Sequence, residues 1–337
     1  MEIEEERKRE VGLLSGYWGL PDASLSAVFH EKTERRVYML TSGSGKYILK
    51  GIPDTKDEQV IAGNVSTHEF LGNKKGIAPK LLYTADQKRY IRTGGFYYYM
   101  MECIDGRQLA ETPQDEYDLG CLARLLHSFG RKNRTDILFP SALSGRKERF
   151  YSWFVDRPFK PLFDALLDGL PDFFDLDQCL IHSDLGPHNA MRRKNGAVVL
   201  IDLDDSGIGS RHLDLGWAFI MQFVDFDHAT GAMRYRFDLA LAFLCGYYHG
   251  RKPETKDGRA AGRKDDQDDT LTRAEYDLLW QGAIFMHISY MKTYGPYAVD
   301  SLWKILQFGI GQKEKLWEQW NELHIPVRDD IMTTEKT

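Results

Sequence analysis

One stretch of this 337-residue chain restricts its fold and its chemistry more than any other. It runs Leu180-Ile-His-Ser-Asp-Leu-Gly-Pro-His-Asn189, passes a basic turn at Arg192 to Gly196, and ends in Ala197-Val-Val-Leu-Ile-Asp-Leu-Asp-Asp205. Two short apolar runs of strand character therefore bracket a His182-x-Asp184-x4-Asn189 loop, and a second carboxylate, Asp202, closes the later run. Asp, Asn and Gly populate turns everywhere, so a polar loop alone means little. Asp202 argues for more, because a carboxylate at the end of a buried strand is costly unless paired or metal-bound.

These residue types suit phosphoryl transfer. That reaction asks a protein for a carboxylate to orient and receive the acceptor hydroxyl's proton, and for ligands to a Mg2+ bridging the phosphates. Asp184 fits the base. Asn189 and Asp202 fit the metal ligands, since hard Mg2+ takes few protein oxygens and completes its shell with phosphate and water. His182 is cast as a buried prop of the loop. A rival reading takes His182, Asp184 and His188 as the metal cluster of a hydrolase, but it leaves Asn189 and Asp202 without a role.

The rest of the chain divides by texture. Val28-Phe29, Arg36 to Thr41 and Lys46 to Lys50 are β-rich, and Ser42-Gly-Ser-Gly45 suits a tight hairpin between the last two. Residues 57–75 carry apolar side chains at helical spacing up to Gly76, and two strands, 89–93 and 96–101, flank Gly94-Gly95. After Gly106 the pattern turns helical, at 115–129 and then at 147–169, 211–229, 233–249, 273–293 and 298–322. The shift at residues 103–106 predicts an α+β chain with a β-rich nucleotide-binding unit over 1–103. A helical catalytic and acceptor-binding unit follows over 104–337. Residues 251–270 offer nothing apolar larger than alanine and predict a mobile charged loop.

Taken together the motifs resemble the aminoglycoside phosphotransferase and choline kinase group, kinases of small molecules with a protein-kinase-like fold. The resemblance rests on His182-Ser-Asp-Leu-Gly-Pro-His-Asn189, Ile201-Asp-Leu-Asp204, Leu213-Asp-Leu-Gly216, Leu122-Ala-Arg-Leu-Leu-His127 and Gly76-Ile-Ala-Pro-Lys-Leu81. It implies a bilobal fold, with a small antiparallel sheet and one helix in front of a large, mainly helical lobe, and ATP and Mg2+ between them. It further implies that Lys50 contacts the ATP phosphates with Glu69, or else Glu58, as its ion-pair partner. Backbone groups from Glu102 to Ile104 would bind the adenine edge, beside Met101 and Ile52, and Asp214 would fasten the catalytic loop.

The departures matter equally. Ser183 stands where protein kinases carry arginine and no Ala-Pro-Glu motif follows, so a phosphorylation-switched protein kinase is not expected. The segment His30 to Arg36, which would cover the phosphates, contains no glycine. Clamping there falls to backbone amides or to Lys32, Arg35 or Arg36. Gly43-Ser-Gly-Lys46 only imitates a P-loop, since Tyr47 stands where Ser or Thr must reach Mg2+.

Composition bounds the partners. Lys plus Arg at 44 against Asp plus Glu at 50 gives a net charge of -6, which does not invite nucleic acid or anionic lipid. The four cysteines are scattered, and the charged N-terminus and lack of a long apolar run predict a cytoplasmic protein. The acceptor is a small-molecule hydroxyl. Asp204, Asp205, Asp225 and Asp227, with Trp217, Tyr247, Tyr248, Tyr290 and Trp303, suit a cation such as an aminoglycoside, choline or another amino alcohol. Homoserine or a sugar stays compatible, as does a catalytically silent binding protein, and the oligomeric state is left open.

Overall fold

A computed structural model describes residues 2–32, 35–129, 147–250, 271–293 and 298–323. The expected charged loop at 251–270 lies outside them. The charged N-terminal run forms helix α1 (Glu2–Gly16). Strands β1 (Ser24–Lys32), β2 (Arg35–Ser42) and β3 (Gly45–Pro53) follow, then α2 (Glu58–His68), β4 (Leu81–Leu82), β5 (Ile91–Thr93) and β6 (Phe96–Glu102). The strands make one antiparallel sheet in the order β1-β2-β3-β6-β4, with β5 beside β6. Ser42 pairs with Gly45 across a two-residue turn, as the glycine spacing requires.

Side chains alternate across a strand, and β6 shows why every residue from Phe96 to Met101 is apolar or aromatic. Phe96, Tyr98 and Met100 join Val11, Leu14 and Trp18 beneath α1, whereas Tyr97, Tyr99 and Met101 join Ile61 and Val65 of α2. Both faces are covered. Asp57 caps α2, and the expected single helix over 57–75 continues past His68 as a π-helical turn to Lys75. Gly76 then stops it in the left-handed region at φ 76°.

The second part begins with β7 (Gly106–Gln108) and α3 (Pro113–His127), the latter started by a Thr112 cap and Pro113. It continues through α4 (Lys160–Asp168), β8 (Gln178–Ile181), β9 (Ala190–Arg193), β10 (Val198–Leu200), β11 (Gly207–Ser210) and α5 (Arg211–Met221). The hairpin β12 (Val224–Phe226) and β13 (Met233–Tyr235) leads into α6 (Phe237–His249), α7 (Arg273–Thr293), α8 (Val299–Ile310) and α9 (Lys313–Glu322). Four expected helices are therefore shorter. The span 147–169 holds a 3-10 turn and α4, 211–229 stops at Met221, 233–249 opens as strand β13 and turns helical only at Phe237, and 298–322 breaks at Gly311-Gln312. Among the described residues no helix is long and apolar enough to cross a membrane.

Two backbone-to-backbone seams hold the helices. A Cβ on Gly246 would stand 2.0 Å from the Tyr117 carbonyl, and one on Gly120 2.2 Å from that of Phe243, so α3 and α6 touch there. Gly282 meets the His212 carbonyl at 2.1 Å in the same sense, joining α7 to α5. The catalytic-motif loop is slung between β8 and β9, and Asp202 follows β10.

Candidate active site

Asp214, in the first turn of α5, is fully buried and has two separate tasks for its oxygens. Its Oδ2 accepts the His182 amide at 2.8 Å and its Oδ1 accepts the Ser183 amide at 2.7 Å. His127 Nε2 lies 3.0 Å from Oδ2, and the other ring nitrogen is 3.0 Å from the Tyr247 hydroxyl. The loop entrance is thus bolted to α5. His182 ties the two strand ends together by donating from Nε2 to the Ile201 carbonyl at 2.9 Å, while the Ile201 amide donates to the Asn189 carbonyl at 2.8 Å. Ser183 at φ 71° and Asp202 at φ 55° both sit in the left-handed region, a strain that tends to collect at functional sites.

Asp184 and Asn189 are in direct contact. The Asn189 amide nitrogen donates to the Asp184 side chain at 2.8 Å and to its carbonyl at 2.9 Å, which leaves the amide oxygen as the free end. His188 Nε2 lies 3.5 Å from the other Asp184 oxygen. Burial pushes the Asp184 carboxyl up, but the hydrogen bond and charge of His188, with His182 and Asn189, outweigh it and hold the group below its ordinary range. The bond to Asp184 raises His188 in turn, against burial. Gly186 makes room for that ring, since a Cβ there would stand 2.6 Å from its Cε1.

Lys50, buried on β3, brings the small sheet to the same place. Its Nζ donates to Asp202 Oδ1 at 2.7 Å and to both oxygens of Asp204 at 3.1 Å. Asp204 also accepts the Tyr99 hydroxyl at 2.7 Å, and Arg35 lies 2.9 Å from it while contacting Asp202. Burial and mutual repulsion work against both carboxylates, yet the Lys50 and Arg35 cations keep each below its ordinary value. Asp205, exposed beside them, is pushed up by burial of its carboxyl and by Asp204, Asp202 and Asp184.

Helix α2 does not give Lys50 the expected carboxylate. Glu69 accepts from Tyr83 at 2.8 Å and faces Arg89 at 3.5 Å, and Glu58 accepts from Tyr90 at 2.7 Å. What α2 presents is His68, fully buried and pushed down to about 4 by burial and by the Lys50 charge, hence neutral. Asp204, Tyr99 and His68 belong to the site without having been assigned these places from sequence. Only the alternation of β6 signals one of them, by setting Tyr99 on the face of Met101.

At the exit of β6, Met101 packs in one cluster with Ile52 and Tyr99. The Glu102 amide donates to the Lys80 carbonyl at 2.9 Å and the Cys103 amide to that of Lys46 at 3.0 Å. Those two donors are spent, and the buried Ile104 is the next along the chain. Most of the side chains considered for an acceptor have structural partners. Asp225 pairs with Arg234 at 2.6 Å, Asp227 accepts Thr230 at 2.6 Å within its own turn, Tyr248 donates to Glu275 at 3.3 Å, and Trp303 stacks on Phe159 at 4.5 Å. Asp205 is the acidic residue left open.

Among the described residues no three His, Cys, Asp or Glu side chains form a metal-holding group of their own. The donor set is instead one amide oxygen and one carboxylate, Asn189 and Asp202. That set fits Mg2+, which takes one or two carboxylates and fills its shell from phosphates and water, and does not fit zinc or iron. The hydrolase reading finds no support, because among the described residues His182, Asp184 and His188 do not come together as a metal-holding group.

A family described as "Phosphotransferase enzyme family" matches residues 27–253, which contain every site residue named above. No curated protein matches the chain. Among solved structures it is similar to a microcompartment-associated aminopropanol kinase, at 16% identity and a TM-score of 0.59 over 93% of this chain and 98% of that one. It is also similar to the choline kinase LicA from Streptococcus pneumoniae, at 15% identity and a TM-score of 0.52 over 94% and 100%. A third is spectinomycin phosphotransferase APH(9)-Ia in complex with ADP and spectinomycin, at 15% identity and 0.51 over 94% of each chain. At such identities the likeness is one of fold.

Proposed function

The chain belongs to the phosphotransferase enzyme family and is a small-molecule kinase. From that premise we propose that it transfers the γ-phosphoryl group of ATP, with Mg2+, to a hydroxyl of a small cationic molecule of the amino-alcohol kind. The reading is carried by two contacts, that of Asn189 with Asp184 in the loop after β8 and that of Lys50 on β3 with Asp202 just past β10, with the loop anchored by Asp214.

Residues 1–103 would hold the nucleotide and residues 104–337 the acceptor. The Ile104 amide and Glu102 carbonyl would meet the adenine edge beside Met101, and Lys50 the phosphates. Asp184, ionised well below neutral pH, holds the acceptor hydroxyl in line and takes its proton as the new O–P bond forms and the bond to ADP breaks. Mg2+, held by Asn189 and Asp202, supplies charge neutralisation on the phosphates. Asn189 keeps Asp184 turned toward the reacting oxygen, while His182 and Asp214 fix the loop.

A cationic acceptor is supported by Asp205, which stands beside Asp204, Asp202 and Asp184, feels the Arg35 charge, and makes no direct ion pair among the described residues. The acceptors named for the similar structures, aminopropanol and choline, are themselves amine-bearing alcohols. An ADP-release assay over amino alcohols, aminoglycosides, sugars and homoserine tests the reading. Turnover confined to acceptors of net positive charge is expected. Turnover with neutral or anionic acceptors only would overturn the cationic part, and nucleotide binding without any turnover would make the protein a binder.

A further inference from the structure

The phosphate-covering segment lacks glycine, yet something must hold the outer phosphates of the nucleotide. We propose that Arg35 is that clamp, kept in readiness by Asp202 and Asp204 until a metal-bound nucleotide takes it over. The inference rests on the kinase reading and deepens it.

Strand register selects Arg35 from its neighbours. Val37 pairs across the sheet with Lys50, so Arg35, two positions along β2, shares the Lys50 face. Arg36 takes the other face, where it reaches Glu10 and the Tyr98 hydroxyl at 2.7 Å each and covers the Phe96 ring at 4.0 Å. A single step along the strand thus separates a structural arginine from one at the site.

The guanidinium of Arg35 is only partly satisfied. One terminal nitrogen contacts Asp202 and lies 2.9 Å from Asp204, but its Nε is buried with no partner. An orphaned buried donor is destabilising, and folded proteins leave few of them. An oxygen-rich ligand on that side would complete the fork, and a phosphate matches guanidinium geometry with two parallel bonds.

The arrangement also contains its own release. Asp202 Oδ1 carries both Lys50 and Arg35, so a divalent ion bound at this carboxylate would compete with them for its charge. Arg35 is the outer of the two, its side chain 33% exposed against 7% for Lys50. With a metal-bound nucleotide held at Asp202, a phosphate oxygen would offer Arg35 a new anion in place of the carboxylate. Two cations facing two carboxylates would become two cations facing the nucleotide.

The experiment measures affinity for Mg·ATP and Mg·ADP, by competition against a fluorescent nucleotide, for wild type, Arg35→Gln, Arg35→Lys and Arg36→Gln. Arg35→Gln is expected to weaken Mg·ATP by about tenfold or more, the worth of a charge-assisted pair, and Mg·ADP by less. Arg35→Lys should recover part of the loss and Arg36→Gln should bind as wild type does. A clamp and a mere lock on Asp202 differ in sign: if removing Arg35 tightens Mg·ATP or leaves it unchanged, the proposal is overturned. Should Arg35→Gln not fold, Arg35→Lys decides alone, since wild-type affinity in that variant would exclude a role for the fork. Absence of any Mg·nucleotide binding by the wild type would overturn the kinase reading itself, a result separate from the variants.

Discussion

Lys50 meets Asp204 through both of its carboxylate oxygens, at 3.1 Å each. The hairpin carrying Asp202 therefore balances the strand lysine, and helix α2 contributes only a neutral imidazole. Asp204→Asn is expected to raise the KM for ATP by about tenfold or more, because it leaves Lys50 and Arg35 short of a counter-charge. Glu69→Gln should leave that KM unaltered. Steady-state kinetics with ATP varied at saturating acceptor distinguishes them, and the reverse ranking would restore Glu69 as the partner.

Asp184→Asn removes the proton acceptor while keeping the volume and the contact with Asn189. The kcat should fall by about 10²- to 10⁴-fold, the usual worth of a positioned base, with the melting temperature and Mg·ATP affinity close to wild type. Rates near wild type in the ADP-release assay would remove Asp184 from the mechanism.

Ser183 combines a positive φ of 71° with a buried hydroxyl that has no partner. Glycine relieves both, against about 0.5–1 kcal/mol of extra backbone entropy in the unfolded chain. Ser183→Gly is expected to gain about 1 kcal/mol, read as a melting point about 2 °C higher. Activity should persist, since the amide that Asp214 holds is still there. A lower melting point would mean that the hydroxyl has a partner in solution.

Glu116 on α3 is fully buried, and the Gln222 amide donates to one of its oxygens, while its Oε2 and the Gln222 Oε1 have no partner. Burial above all, with Glu111 and Asp115, pushes the carboxyl up to about 8, the Gln222 bond and Arg236 pulling the other way. A proton on Oε2 supplies the missing donor. Between the ordinary 4.5 and about 8 the folded state keeps a proton that the unfolded chain has lost, so stability declines as pH rises through that window and then levels. Glu116→Gln should flatten the profile and exceed wild type on the alkaline side by on the order of 2–4 kcal/mol. Urea titrations across the window give the answer, and parallel curves for the two proteins would refute a protonated Glu116.

Much of the site could be read from sequence because its chemistry lies in contiguous residues. His182, Asp184, Asn189 and Asp202 fall in one short stretch of sequence, and a loop between two apolar runs has few places to go. Helix α7 keeps its sequence-derived limits of 273 and 293 because its apolar pattern is unbroken. The stretch from 222 to 235 misleads, since its apolar residues suit a helix, whereas Asp227 closes a turn through Thr230 and makes a hairpin. Helix α1 was hidden for the opposite reason, since its sequence is mostly charged and Val11 and Leu14 carry its packing among the described residues. The partner of Lys50 was beyond any local signal. It depends on how closely the hairpin approaches the sheet, and Glu69 and Asp204 are equally plausible carboxylates until that distance exists.

The paired glycines between α3 and α6 and between α5 and α7 leave no side-chain cushion at those crossings, so the helices cannot slide or spread to absorb a change made nearby. Asp214 rides on one of these helices and His127 on another. Substitutions elsewhere on the helical part would then leave the anchored loop that carries Asp184 in place. A scaffold of this kind lets the choice of alcohol drift while the geometry of transfer is conserved by steric contact alone.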